Sequence, residues 1–147
     1  MSPIVVAVDG SKHCEKVVDV ACGFAKDMNT SIVLIHVLRR MPDEPEGVRA
    51  FEESEHYKEA FANYLEDLGE SVTTALAARV EKENVQCAVM TEVGNPVERI
   101  VETARLQNAR IIVLGLHGLH NVGLIRSLGS VARRVIENAG RPVLVVP

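Results

Sequence analysis

Five short aliphatic runs punctuate this chain: Ile4–Val8, Ser31–Leu38, Val85–Val93, Arg110–Leu114 and Pro142–Val146. Each has the length of a strand, and the second is apolar almost without a break, the pattern of a strand buried on both faces. Between them, apolar residues recur every three or four positions, the period of an amphipathic helix. Alternating strands and helices need crossover connections, and right-handed crossovers build a parallel sheet. The expected architecture is an α/β fold: a single-domain, five-stranded parallel sheet over residues 1–147 with helices on both faces. Composition agrees, because aromatics are 3% of the chain and tryptophan is absent, so Val, Ile, Leu and Ala must build the core. A base-stacking nucleic-acid surface would need more aromatic rings.

Turn residues place the boundaries. Asp9-Gly10-Ser11 follows the first run, and Ser11 is predicted to cap a helix whose buried face holds Val17, Ala21, Phe24, Ala25 and Met28. Asn29-Thr30 ends that helix. Residues 39–56 read as an exposed acidic loop, with two prolines and the acids Asp43, Glu44, Glu46, Glu52 and Glu53. Helical periodicity sets in at about Ser54 and continues to Glu83, with Gly69 a possible bend. Gly94-Asn95-Pro96-Val97-Glu98 opens the next helix clearly: Asn95 is the N-cap, Pro96 the first helical residue and Glu98 the third. A final helix is predicted over Ser130–Ala139.

The net charge of −4 conceals an asymmetry. Beyond residue 109 the chain carries five arginines against Glu137 alone, whereas the preceding part is acidic. A small anion would be attracted to the C-terminal segment, while long nucleic acid would be repelled elsewhere. Cys14, Cys22 and Cys87 are odd in number and lack CxxC spacing, which suits a reducing, cytoplasmic setting. No basic leader precedes the first apolar run and no stretch is long enough to span a bilayer, so no membrane association is expected.

Strand ends carry the functional signal. In parallel sheets ligands bind beyond the C-terminal ends of the strands, and Asp9, Val37, Gly94 and Gly115 all fall there. Gly115-Leu116-His117-Gly118 follows the fourth run directly, and ten residues later Gly129-Ser130 opens the last helix. Glycines permit close backbone approach to an anion, and a helix N-terminus offers unpaired N–H groups and partial positive charge. Ser130 adds a hydroxyl, and His117 is placed to touch phosphate. These are the parts of a polyphosphate cradle. It is not a P-loop, which requires Gly-Lys-Ser/Thr. Nor does a GxGxxG dinucleotide fingerprint follow the first strand. His117 and His120 lack a third metal ligand nearby, and His36 reads as a structural group.

The motifs Val8-Asp9-Gly10-Ser11, His36-Val37, Gly94-Asn95-Pro96, Gly115-Leu116-His117-Gly118, Gly129-Ser130 and Pro142-Val143-Leu144-Val145-Val146 occur in that order. Together they resemble the ATP-binding subgroup of the universal stress protein family, from residue 4 to the end. The resemblance implies a Rossmann-like sheet of the adenine nucleotide α-hydrolase type, with strand order 3-2-1-4-5. It implies that Asp9 bonds the ribose and that Val37 holds the adenine through its backbone. Gly115 and Gly118 would shape the loop, and Gly129, Ser130 and Val131 would donate to the phosphates. Mg2+ or Mn2+ would be bound through the phosphates. The last strand would form a homodimer, and the protein would be a nucleotide-dependent regulator in stress response, with an unknown protein partner. The loop has ten residues between Gly118 and Gly129 where the family has nine. A dimeric scaffold without nucleotide and a slow ATPase remain alternative functions.

Overall fold

In a computed structural model, which describes residues 2–39, 72–116 and 128–147, the five aliphatic runs form the strands of one sheet. The elements are β1 (Ile4–Val8), α1 (His13–Met28), β2 (Ile32–Leu38), α2 (72–82 within the described residues), β3 (Cys87–Val93), α3 (Pro96–Leu106), β4 (Ile111–Gly115), α4 (Ser130–Asn138) and β5 (Val143–Val146). All pairings are parallel, and the strand order is β3-β2-β1-β4-β5, as expected.

Alternation along each strand divides the core in two. Ile4, Val6, Val8, Ile32 and Leu34 face α1 and α2, where they meet Val17, Val18, Ala21, Leu76 and Val80. Val5, Val33 and Ile35 face the other way, onto Val97, Ile100 and Ala104 of α3 and Ala132 and Val135 of α4. Burying an aliphatic side chain of this size contributes about 1.5–3 kcal/mol. The central strands therefore anchor the ends from which the functional residues project. Arg79 of α2 grips Asp19 of α1 through two bonds of 2.6 and 2.8 Å, and Lys26 pairs with Glu83. Both contacts are exposed and add little to stability.

Three local expectations fail. Ser11 does not cap α1: the N-cap is Lys12, with no side-chain cap bond. The Asp9 carboxylate accepts the Ser11 N–H at 3.0 Å, so the chain makes an Asx turn and enters the helix one residue later. Phe24 is 38% exposed and lies off the buried arc, which runs through Cys14, Val17, Val18, Ala21, Cys22 and Ala25. Asn29 does end the helix, in the left-handed conformation at φ 51°. β3 starts at Cys87 rather than Val85. The acidic loop beyond Arg39, the helix over 54–71 with Gly69, and residues 117–127 lie outside the described residues.

Candidate functional site

The turn after β1 sets the first wall of the site. Gly10 has φ +84°, a value that L side chains rarely adopt, and this lets the chain fold back so that Asp9 receives the Ser11 N–H. The Cys14 thiol, from the second residue of α1, donates to the same carboxylate oxygen, Asp9 Oδ1, at 3.2 Å. Burial works to raise the Asp9 pKa. The Ser11 backbone and side chain and the Cys14 thiol outweigh it, so the carboxyl titrates below its ordinary value. Asp9 is thus a held, ionised acceptor.

β2 supplies the next wall. Within the sheet His36 aligns with Val8 and Thr91, and Val37 with Glu92. The His36 ring is buried and its Nδ1 donates to the Val8 carbonyl at 2.9 Å, which fits the structural role expected of it. Val37 lies near the strand's C-terminal end and faces the cleft described below.

The third wall is the start of α4. Gly129 is its N-cap, with φ −62°, no side-chain cap bond and no acid in the first turn. The first helical hydrogen bond runs from Arg133 N–H to the Gly129 carbonyl. The amides of Ser130, Val131 and Ala132 therefore have no intrahelical acceptor. The Gly129 N–H donates to the Leu116 carbonyl, and the Leu116 N–H to the Val146 carbonyl, each at 2.8 Å. One hydrogen bond thus joins the two ends of the glycine loop, and a second ties it to the end of β5. The start of α4 is thereby tied through Leu116 to the end of β5.

These walls enclose a cleft of about 630 Å3 at the C-terminal ends of β1, β2 and β4. A volume of this order holds a small molecule the size of a nucleotide. Six of the predicted site residues line it: Asp9, Val37, Gly115, Gly129, Ser130 and Val131. His117 and Gly118 lie outside the described residues. Gly94 adopts φ +136° beside the cleft but does not line it.

Two lining residues escaped the sequence reading. His13 Nε2 donates to the Val146 carbonyl at 2.9 Å, joining α1 to β5 across a separation of 133 residues. Cys14, which the sequence marked only as one of three cysteines without paired spacing, makes the bond to Asp9. No local pattern signals the first contact. The second follows from the i, i+5 spacing of Asp9 and Cys14 only once the helix start is known.

Comparison with known proteins assigns the family. The model of the universal stress protein family matches residues 1–147. This chain belongs to the universal stress protein family. It is 33% identical to the universal stress protein MJ0531 of Methanocaldococcus jannaschii, over 97% of this chain and 80% of that protein. Among solved structures, MJ0577 of the same organism superposes with a TM-score of 0.81 at 26% identity, covering 99% of this chain and 94% of that one. The universal stress protein of Archaeoglobus fulgidus in complex with dAMP superposes with a TM-score of 0.68 at 25% identity, covering 100% and 98%. Some structural neighbours in the universal stress protein family thus bind adenine nucleotides.

Proposed function

We propose that this universal stress protein binds ATP in the cleft and acts as a nucleotide-dependent regulatory homodimer in the cytoplasm. The observation that supports this most is the convergence on one cavity of an ionised Asp9 with the amides of Ser130, Val131 and Ala132, which have no acceptor among the described residues. Asp9 accepts ribose hydroxyls, and the backbone of Val37 meets the adenine between apolar strand walls. The α4 amides and the Ser130 hydroxyl take the phosphates, assisted by the positive end of the helix dipole. His117 and Gly118 complete the loop side.

The residues fit an ATP–metal complex: amide and hydroxyl donors suit phosphate oxygens, and Mg2+ or Mn2+ would draw most of its oxygen ligands from the phosphates and water. Such an ion would supply neutralisation of phosphate charge beyond that of the α4 amides and the Ser130 hydroxyl. The dAMP complex of the Archaeoglobus relative adds support for an adenine nucleotide. β5 is an edge strand of the described sheet; the carbonyl of Pro142, just before it, accepts from Ile112, and that of Val146 accepts from Leu116, just after β4. In a strand alternate residues point their backbone groups to opposite sides, so Val143 and Val145 offer theirs to a second copy.

The test is direct. Protein purified without added nucleotide is denatured, and the supernatant is resolved by anion exchange. Bound ATP or ADP, together with saturable heat on titrating stripped protein with Mg-ATP, is the expected result. Neither nucleotide nor heat would leave the scaffold alternative. Light scattering should give a dimer mass, and Val145→Pro, which removes only an outward N–H, should give a monomer.

A further inference from the structure

The Asp9 side chain uses its two oxygens unequally. Oδ1 accepts the Ser11 N–H at 3.0 Å and the Cys14 S–H at 3.2 Å. Among the described residues no hydrogen bond reaches Oδ2. The thiol is itself held: its sulfur accepts the Asp9 N–H at 3.4 Å and lies 3.6 Å from the Ser11 hydroxyl. Asp9 N–H, Cys14 S–H and Asp9 Oδ1 therefore close a ring between the end of β1 and the first turn of α1. Cys14 is 5% exposed.

We propose that Cys14 is a positioning residue for ligand recognition: its thiol fixes the Asp9 carboxylate so that Oδ2 alone faces the cleft and accepts the ribose hydroxyls. This rests on the ATP reading above. A carboxylate held by Ser11 alone would be freer to rotate about its last bond, and a vicinal diol would then meet a more mobile acceptor. With Oδ1 doubly bonded, that rotation breaks two contacts, and the orientation cost is met before the ligand arrives. The thiol serves only while protonated. Burial, the first cause, and the adjacent Asp9 charge both push its pKa up, so it keeps the proton it must donate.

The test compares ATP with 2′,3′-dideoxy-ATP, which lacks both ribose hydroxyls, by calorimetry on stripped full-length protein. The wild type should prefer ATP by about tenfold, as expected for hydrogen bonds to a charged acceptor. Cys14→Ala should lower ATP affinity by about fivefold and leave 2′,3′-dideoxy-ATP unchanged. Cys14→Ser should recover ATP binding to within about twofold of wild type. Equal loss for both ligands would mean that the thiol only packs, and no loss would mean that Ser11 suffices; either overturns the proposal. A wild type that binds neither ligand sinks the ATP reading itself. The thiol's hold on Asp9 is then judged without nucleotide, from the Asp9 carboxyl carbon in an NMR titration. Its midpoint should move up in Cys14→Ala and return in Cys14→Ser, and an unmoved midpoint overturns the proposal.

Discussion

Two helix N-termini sit side by side on one face of the sheet, and they are finished in opposite ways. α3 satisfies itself: the Asn95 side chain accepts the Glu98 N–H at 3.2 Å, Pro96 has no N–H to satisfy, and Glu98 sets a negative charge in the first turn. α4 has none of these: a glycine cap, no side-chain bond and no acid. Capping is worth about 1 kcal/mol, and an acid in the first turn about 0.3–1 kcal/mol more. α4 forgoes both. A terminus without an anion of its own and turned into the cleft suits the anion of a ligand under the proposed function, whereas the α3 terminus, whose Pro96 also lines the cleft, is completed by its own residues.

That contrast can be broken by giving α4 what α3 has. Gly129→Asp should cap the helix and occupy its open amides with a carboxylate. Gly129 has φ −62°, so a side chain causes no backbone strain. ATP affinity should fall by about 100-fold or more, since charge meets charge at short range, while the thermal midpoint holds or rises. Loss of both binding and stability would mean that the open terminus is not what receives phosphate. A smaller effect is expected from Ser130→Ala, which removes the hydroxyl and keeps the amides: about a tenfold loss of ATP affinity, read by calorimetry. Uncapping the other helix should do the reverse. Asn95→Ala should cost about 1 kcal/mol in urea unfolding and leave ATP affinity within about twofold. Glu98→Gln, which removes only the charge, should cost a few tenths of a kcal/mol by the same measurement.

The pH dependence sharpens the contrast further, because the α3 cap is an amide that does not titrate, whereas the site is anchored by a carboxylate that does. The folded protein holds the Asp9 pKa below its ordinary value of 3.8. Its contribution to stability is therefore full above about pH 4 and lost as pH falls through the lower folded value. Asp9→Asn should flatten that part of an acid unfolding curve, and Asn95→Ala should shift the whole curve without changing its slope there.

Where function and local chemistry coincide, the sequence was easy to read. Asn95-Pro96 announces α3 because cap and first residue act within four positions. The strands were legible because burial on both faces leaves few residue choices; alternation demanded parallel crossovers, and the order of the strands came from the family resemblance. Asp9-Gly10-Ser11 was ambiguous, since Asp can form an Asx turn as readily as Ser can cap a helix. The Asp9 carboxylate takes the Ser11 N–H and delays the helix start. Phe24 was misplaced because its neighbours Ala25 and Cys22 lie on the buried arc and an aromatic ring invites inclusion. The placing of His13 in the site depends on β5 returning beside α1, which no window of sequence contains. Of the site itself, the backbone donors were readable from glycine and serine at a helix start. The thiol that holds Asp9 was not, because cysteine is more often a small hydrophobe.

The hydrogen bond between the Leu116 carbonyl and the Gly129 N–H has a consequence for how such proteins can vary. Closing a loop costs free energy that grows only with the logarithm of its length, about 0.1 kcal/mol for one residue added to ten. With its feet joined, the stretch beyond Gly118 becomes a cassette: a change of length there costs little while the start of α4 stays tied through Leu116 to β5. An engineer could graft peptides between residues 118 and 129 on the same terms.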